Sequence, residues 1–515
     1  MLASTAFVAC TNEDDVVNNE QTVAKGEKSY IAVNLNMTPS SRASFDEGLE
    51  KESAATEALF YFFDKQGNAF DIDLDVVGTQ NCLVKPISLA DEGTVNNSVS
   101  HVATPVLVIN GSKDVLPHQI LAVLNAPAKF KDESGNGVTK ALSELVAECG
   151  AYNGDAESGF VMTNSVYKHK VLNEAVVATE LAADNFFTSA DEATAHPLDI
   201  YVERVAAKVS VTAEYDENGK FYTGQKMSDG KEIYAKIKGW KVTNIKNEAY
   251  LLKKIDTSWT DAVLGITNWN DASNFRSYWA NTASQGSITH PWNWNQLSTA
   301  ATGNDNYGYY YENTDANNNN KSQLLVAATF EDANGNALQI AEWYGARYYF
   351  NDLATAIANA LKSTIYVKNG DAMTSIAPED ITFFQAEDDE DSQRYLSYAT
   401  LATASENKTF VDENGEAINA KDELEALEPA LIWKEGGYYY TTIKHLGAEG
   451  KTAEFGLVRN HLYQVTVDGI TGLGTPVYDP NKKITPEPPV NLTTYLSAQI
   501  NVLAWKVVNQ SVTLK

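Results

Sequence analysis

Residues able to do chemistry are plentiful in this 515-residue chain, but few stand at the spacings chemistry needs. Its seven histidines are scattered, and none accompanies a serine or cysteine in a nucleophile motif. Asp71-Ile-Asp-Leu-Asp75 alternates carboxylates, yet apolar residues separate them and Gly78 comes too late for a calcium loop; a strand with a charged outer face is expected instead. Asp315 to Asn320 and Glu387 to Asp391 offer oxygen ligands suited to a weak Ca²⁺ site, against the plainer reading of solvated acidic loops, and no metal is assigned. Carboxylates are numerous enough to include a glycosidase pair, but abundance alone is no evidence for one. Trp269, Trp279, Trp292, Trp294 and the run Tyr307 to Tyr311 could stack on a sugar, or simply pack long loops. No enzyme and no cofactor are expected.

Two positions suggest processing. Met1 to Ala9 is apolar and small, and it runs into Cys10 and then Thr-Asn-Glu-Asp-Asp15. An apolar stretch too short to span a bilayer, followed by cysteine, has the form of a lipoprotein signal at its cleavage site. Arg42 lies in Thr38-Pro-Ser-Ser-Arg42-Ala43-Ser44, a small polar loop of the kind proteases cut when it is exposed. Cys82 and Cys149 have no metal spacing; they read as small buried hydrophobes, with a disulfide between them the second reading.

The elements around these positions are mainly strands. A net charge of −29 disfavours nucleic acid and anionic lipid as partners. Tyrosine-rich composition, short alternating apolar runs and Asp-x-x-Gly corners at Asp64, Asp132, Asp216, Asp332 and Asp412 predict a mainly β chain of two to four domains. Ser29 to Met37 alternates, with Ile31, Val33, Leu35 and Met37 on one face and Ala32, Asn34 and Asn36 on the other. The far end repeats this chemistry: Leu496, Ala498, Ile500, Val502 and Ala504 share a face, behind a stiff spacer from Asp479 to Pro489. Further strands are expected at Ala58 to Phe63, Pro105 to Gly111, Gln119 to Asn125, Ser322 to Phe330, Tyr438 to Ile443 and Asn460 to Val467. One long strand from Leu198 to Thr212 should open a second domain. Helical spacing runs between Thr139 and Cys149, with Leu142, Leu145 and Val146 on one side, and at Leu353 to Leu361, and Trp259 to Asn320 reads as long surface excursions.

Four features coincide: the cysteine after a short apolar stretch, the first strand followed by Arg42, the run Val202-Glu-Arg-Val-Ala-Ala-Lys-Val209, and the ending Arg459-Asn-His-Leu-Tyr-Gln-Val-Thr-Val467 … Gly472-Leu-Gly-Thr-Pro476 with its terminal strand and Trp505. Together they resemble the Bacteroidales fimbrillins, the type V pilins, and most of all the major shaft subunits of short (minor) fimbriae. The resemblance implies two transthyretin-like β-sandwich domains with a few short helices and a detached C-terminal donor strand. It divides the chain into a lipoprotein signal (1–10), a propeptide carrying a removable strand (11–42), two sandwiches (43–198 and 199–479) and a spacer with the donor strand (480–515). It also implies lipidation at Cys10, an outer-membrane precursor, and cleavage between Arg42 and Ala43 by an Arg-specific protease. Loss of the strand bearing Ile31, Val33, Leu35 and Met37 would open a groove that a neighbour's strand, bearing Leu496, Ala498, Ile500, Val502 and Ala504, refills. The implied partners are copies of the same chain in a filament together with accessory, anchor and tip subunits, and the implied role is adhesion and biofilm formation. The rival reading is a surface glycan-binding lipoprotein that uses the Trp and Tyr loops.

Overall fold

The computed structural model describes residues 27–37, 52, 54–75, 77–87, 101–103, 105–111, 115–152, 159–168, 175–255, 280–284, 286–297, 307–387, 395–445, 449–450, 452–486, 495–504 and 507–508. Strand accounts for 44% and helix for 14%, so the chain is mainly β as expected. Among the described residues no helix is long and apolar enough to cross a membrane.

The first sheet has nine strands. Its path runs Cys82–Pro86, Glu57–Phe63, Gln119–Leu124, Met162–Asn164, Leu198–Arg204, Glu27–Met37, His101–Ala103, with Val106–Gly111 also paired to Glu27–Met37. Strand Glu57–Phe63 is apolar at nearly every position because both its faces are covered. Phe60 and Phe62 join Ile31, Val33, Ile120, Met162 and Ile200 on one side. Leu59, Tyr61 and Phe63 join Phe130, Leu145 and Tyr152 on the other. Leu145 comes from the short helix Leu142–Ala147, which the spacing anticipated.

The run expected as one strand from Leu198 to Thr212 is two. Leu198–Arg204 belongs to the first sheet and Ala207–Ala213 to another, with the chain turning at the buried pair Val205 and Ala206. A two-residue break preserves the period-two parity, so the alternation reads straight through it. Ala207–Ala213 lies between Tyr307–Tyr310 and His461–Thr471 in a five-stranded sheet. This sheet packs on a six-stranded one built from Phe221–Lys226, Glu232–Thr243, Gln323–Glu331, Ala337–Leu338, Gly436–Thr442 and Thr475–Val477. Val209, Val211, Val465 and Val467 from the first meet Ile237, Trp240, Val326 and Phe330 from the second in one core.

Between Ile340 and Trp433 a third unit appears that the sequence reading left undivided. Helix Leu353–Leu361 and helix Ala420–Glu425 pack with a five-stranded and a three-stranded sheet around Leu353, Ile357, Val367, Phe410, Leu424 and Ile432.

All five Asp-x-x-Gly segments are hairpin corners. In each, the aspartate Oδ1 accepts the backbone N–H groups two and four residues on: Gln66 and Asn68 for Asp64, Ser134 and Asn136 for Asp132, Asn218 and Lys220 for Asp216, Asn334 and Asn336 for Asp332, Asn414 and Glu416 for Asp412. Gly67, Gly135, Gly219, Gly335 and Gly415 take φ between +74° and +83°, the conformation that requires glycine there.

Asp71 to Asp75, by contrast, is not a strand. It holds a single bridge and a turn, because its carboxylates accept local backbone N–H groups: Asp71 from Asp73 and Gln80, and Asp73 from Asp75. The expected surface excursions are likewise corrected where they are described. Ala280, Trp294, Glu312 and Asn313 are buried, and the Asn313 amide donates to the carbonyls of Asn244 and Asn320. Asparagine, read as a loop former, here satisfies buried backbone.

Candidate functional site

The first strand, Glu27–Met37, is held on both edges. Val33 to Met37 pair in parallel with Leu198 to Val202, so that Val33 stands opposite Leu198, Leu35 opposite Ile200 and Met37 opposite Val202. On the other side Glu27 to Ala32 pair antiparallel with Val106 to Gly111, and Leu35 to Met37 with His101 to Ala103. Ile31, Ala32 and Val33 are fully buried. Ile31 and Val33 sit in the core with Leu107, Ile109, Ile200 and Val202, while the short helix Ala190–Ala195 also lies against this strand. That helix is capped by the Ser189 hydroxyl, which accepts the Glu192 N–H. Taking the first strand away would expose unpaired backbone on two flanking strands and an apolar floor between them, a seat shaped for another strand. Cys10, Arg42 and Ala43 lie outside the described residues.

The terminal strand, Tyr495–Ala504, is not detached. It pairs antiparallel with His461–Thr471 of its own chain, and Val507–Val508 pairs back onto it. Leu496, Ala498, Ile500, Val502 and Ala504 stand opposite Ile470, Val467, Val465, Tyr463 and His461, all five of them buried. The reason is that strand His461–Thr471, with Ala207–Ala213 on its other side, offers an open row of N–H and C=O groups for the terminal strand to fill. The spacer is pinned over its first residues. Ile484 is buried and donates its N–H to the Trp292 carbonyl, Asn295 donates to the Pro480 carbonyl, and Tyr438 donates its hydroxyl to the Thr485 carbonyl.

Around the turn from the nine-stranded sheet into the sheet of Ala207–Ala213 lies a buried ionic seam that sequence reasoning missed. The Lys208 ammonium is 2.7 Å from Glu52 Oε1 and 3.5 Å from the Tyr307 ring centroid. Tyr309 donates its hydroxyl to the same carboxylate, and Arg204 Nε donates to the Glu52 carbonyl at 2.8 Å. Lys253 pairs with Glu203 at 3.1 Å, with both side chains fully buried. Arg459 grips Glu312 through Nε at 3.2 Å and Nη2 at 2.8 Å, and donates to the carbonyls of Leu251 and Tyr250. Asn460, at φ +59°, donates its N–H to the Ala206 carbonyl and accepts from Arg204. Burial lowers the Arg204 guanidinium to about 10, opposed by the Glu52 charge. The signal was present in Val202 to Val209 and Arg459 to Val467, where charges interrupt apolar runs.

Residues 432–511 match the family model described as "Major fimbrial subunit protein type IV, Fimbrillin, C-terminal". That region is where the chain is similar to the fimbrillins. The matched stretch holds both the terminal strand and the strand it pairs with. No curated protein sequence matches the chain. Among solved structures it is similar to a candidate cell adhesion protein of Parabacteroides distasonis ATCC 8503, at 14% identity over 94% of this chain and 99% of that one, with a TM-score of 0.38. It is also similar to the tip fimbrial protein Mfa3 of Porphyromonas gingivalis with C-terminal truncation, at 9% identity over 93% and 100%, TM-score 0.33. A fimbrial assembly protein of Parabacteroides distasonis ATCC 8503 matches at 11% identity over 75% and 99%, TM-score 0.28. TM-scores below 0.5 leave these likenesses without weight for function.

Other candidate residues are spent on packing. Trp294 is buried, Trp292 donates its indole N–H to the Val242 carbonyl, and Tyr310 is buried beneath the Val242 amide. Trp269, Trp279 and Trp505 lie outside the described residues. The Asp315 carboxylate is neutralised by Lys246 at 3.3 Å and accepts from Gly286 and Asn320, so a lysine supplies the positive charge there. Asp388 to Asp391 lie outside the described residues, and no metal-holding group of His, Cys, Asp and Glu occurs among those described. Cys82 and Cys149 are both free thiols, which corrects the disulfide reading.

Proposed function

We propose that this protein is a structural subunit of a cell-surface fimbria and not an enzyme. It is exported as a lipoprotein through Cys10, cut between Arg42 and Ala43 by an Arg-specific protease, and polymerised head to tail. The observation that carries this reading is the seat of Glu27–Met37, flanked on both edges within one sheet, with Arg42 only a few residues beyond its end. A cut there leaves the strand held by non-covalent contacts alone. Its departure opens a groove, and the terminal strand of the next copy, which repeats the same alternation, refills it without a change of register. Four or five buried side chains supply on the order of 10 kcal/mol before ordering costs. A donor and a recipient at opposite ends of the chain make a heterologous contact that builds filaments. The pairing of Tyr495–Ala504 with His461–Thr471 is then the stored position of the donor before assembly. Anchor, accessory and tip subunits, adhesion and biofilm formation belong to the same reading.

Electron microscopy of the purified full-length chain before and after trypsin tests it. Fibres should appear only after cutting, and Arg42→Ala or loss of Leu496 to Lys515 should abolish them while the monomer stays folded. Fibres from the uncut or shortened chain would sink the proposal. The glycan-binding rival is not carried forward, because the described rings it needs are engaged in packing.

A further inference from the structure

The unit between Ile340 and Trp433 ends its five-stranded sheet on strand Ile381–Glu387, an edge of seven residues. At the opposite edge of the same sheet, Ala346–Tyr349 is engaged: Ser228 donates to the Arg347 carbonyl at 2.7 Å, and the Tyr349 hydroxyl meets Lys231 and Asp229. Three other edge strands carry features that discourage pairing. Cys82–Pro86 has Lys85 and Pro86, Phe221–Lys226 has Gly224 at positive φ and a register shift, and Thr475–Val477 has Pro476. Ile381-Thr-Phe-Phe-Gln-Ala-Glu387 has none of these, and no described residue pairs with its outer side.

The open groups can be named. Ala402 donates to the Asp380 carbonyl, which fixes the antiparallel parity: Thr382, Phe384 and Ala386 exchange hydrogen bonds with Tyr395–Leu401. The N–H and C=O groups of Phe383 and Gln385 therefore point to the open side. Phe384 is 46% exposed and stacks on Tyr398 of the neighbouring strand, with ring centroids 5.2 Å apart. Charge completes the surface. Residues 340–433 hold 18 acidic against 6 basic side chains, a net −12 within a chain of −29.

We propose that strand Ile381–Glu387 is a docking edge for an extended, cationic peptide segment of another protein, which adds to the sheet as a strand and lays its ammonium or guanidinium groups toward the acidic surround and the Phe384–Tyr398 stack. Backbone pairing supplies the register and charge supplies the choice of partner. A second copy of this chain is disfavoured as occupant because two such units of net −12 repel. The inference is independent of strand exchange at the N-terminal groove.

The test is fluorescence anisotropy on the full-length protein at low salt, with a labelled nine-residue peptide of alternating lysine and valine. The wild type should bind it and lose it as salt rises, and an alternating glutamate and valine peptide should not bind. Gln385→Pro removes an outward N–H without touching the pairing to Tyr395–Leu401, and should weaken binding at least tenfold. Phe384→Lys, which leaves the backbone alone, should weaken it similarly and decides the matter if the proline variant does not fold. Undiminished binding by these variants, equal binding of the glutamate peptide, or a peptide-free dimer that Gln385→Pro dissolves would overturn the proposal.

Discussion

Lys208 and Glu52 meet at 2.7 Å with neither side chain exposed to solvent. Glu52 stands ten residues after Arg42, and Lys208 lies in strand Ala207–Ala213, so this contact ties the chain behind the proposed cut to the start of the five-stranded sheet.

Removing one partner strands the other charge in a dry site. Lys208→Met should cost about 3–5 kcal/mol in urea unfolding, while Lys208→Met with Glu52→Met should recover most of that loss, because a buried pair replaced whole by apolar side chains is often neutral. A double variant as unstable as the single one would show that packing, and not charge, holds the contact.

Ile31 lies fully buried against the first-sheet core. Ile31→Ala should lower the stability of the uncut chain by about 2–5 kcal/mol. After cleavage at Arg42 and release of the first strand, the same substitution should have no effect, since the residue has left the molecule. Comparison of urea midpoints for cut and uncut protein checks both statements.

The buried imidazole of His445 is hydrogen-bonded through Nδ1 to the Tyr463 hydroxyl at 2.9 Å, and that hydroxyl also accepts the Val458 N–H. Burial first, then the neighbouring His461 and Lys253, hold it well below the ordinary value of 6.5. The unfolded chain therefore takes up the proton first as pH falls below 6.5, and stability declines downward from there by up to about 1.4 kcal/mol per pH unit for this group. Urea unfolding from pH 7 to 5 should show the slope, and His445→Gln should flatten it.

Burial pushes the Cys82 thiol up to about 12. At pH 8 it should resist iodoacetamide until the protein is unfolded, as mass spectrometry of native and urea-treated samples would report. Its packing is tight: a Cβ at Gly137 would lie 2.2 Å from the Cys82 sulfur. Gly137→Ala should accordingly destabilise the protein by about 1–3 kcal/mol in urea unfolding.

What the sequence by itself determined is what neighbouring residues settle among themselves. The period-two pattern around Ile31 and Val33 made a buried strand, and an aspartate three residues before a glycine made each hairpin corner, because both depend on contacts a few residues apart. The likeness of the ending to the fimbrillins was legible for the same reason. Only the tertiary structure decided which strand each edge would find. The terminal strand's alternation fits any apolar seat, and its pairing with His461–Thr471 was not written in it. The break at Val205 and Ala206 was hidden because it kept parity, and the unit between Ile340 and Trp433 because its core joins residues far apart in the chain. The ionic seam lay furthest from view: Arg459 and Glu312 are 147 positions apart, and a charge in an apolar run says that a partner is needed without saying which. Local sequence fixes backbone geometry and the sidedness of each element, whereas long-range pairing is chosen by burial and charge compensation that exist only once the chain has closed on itself.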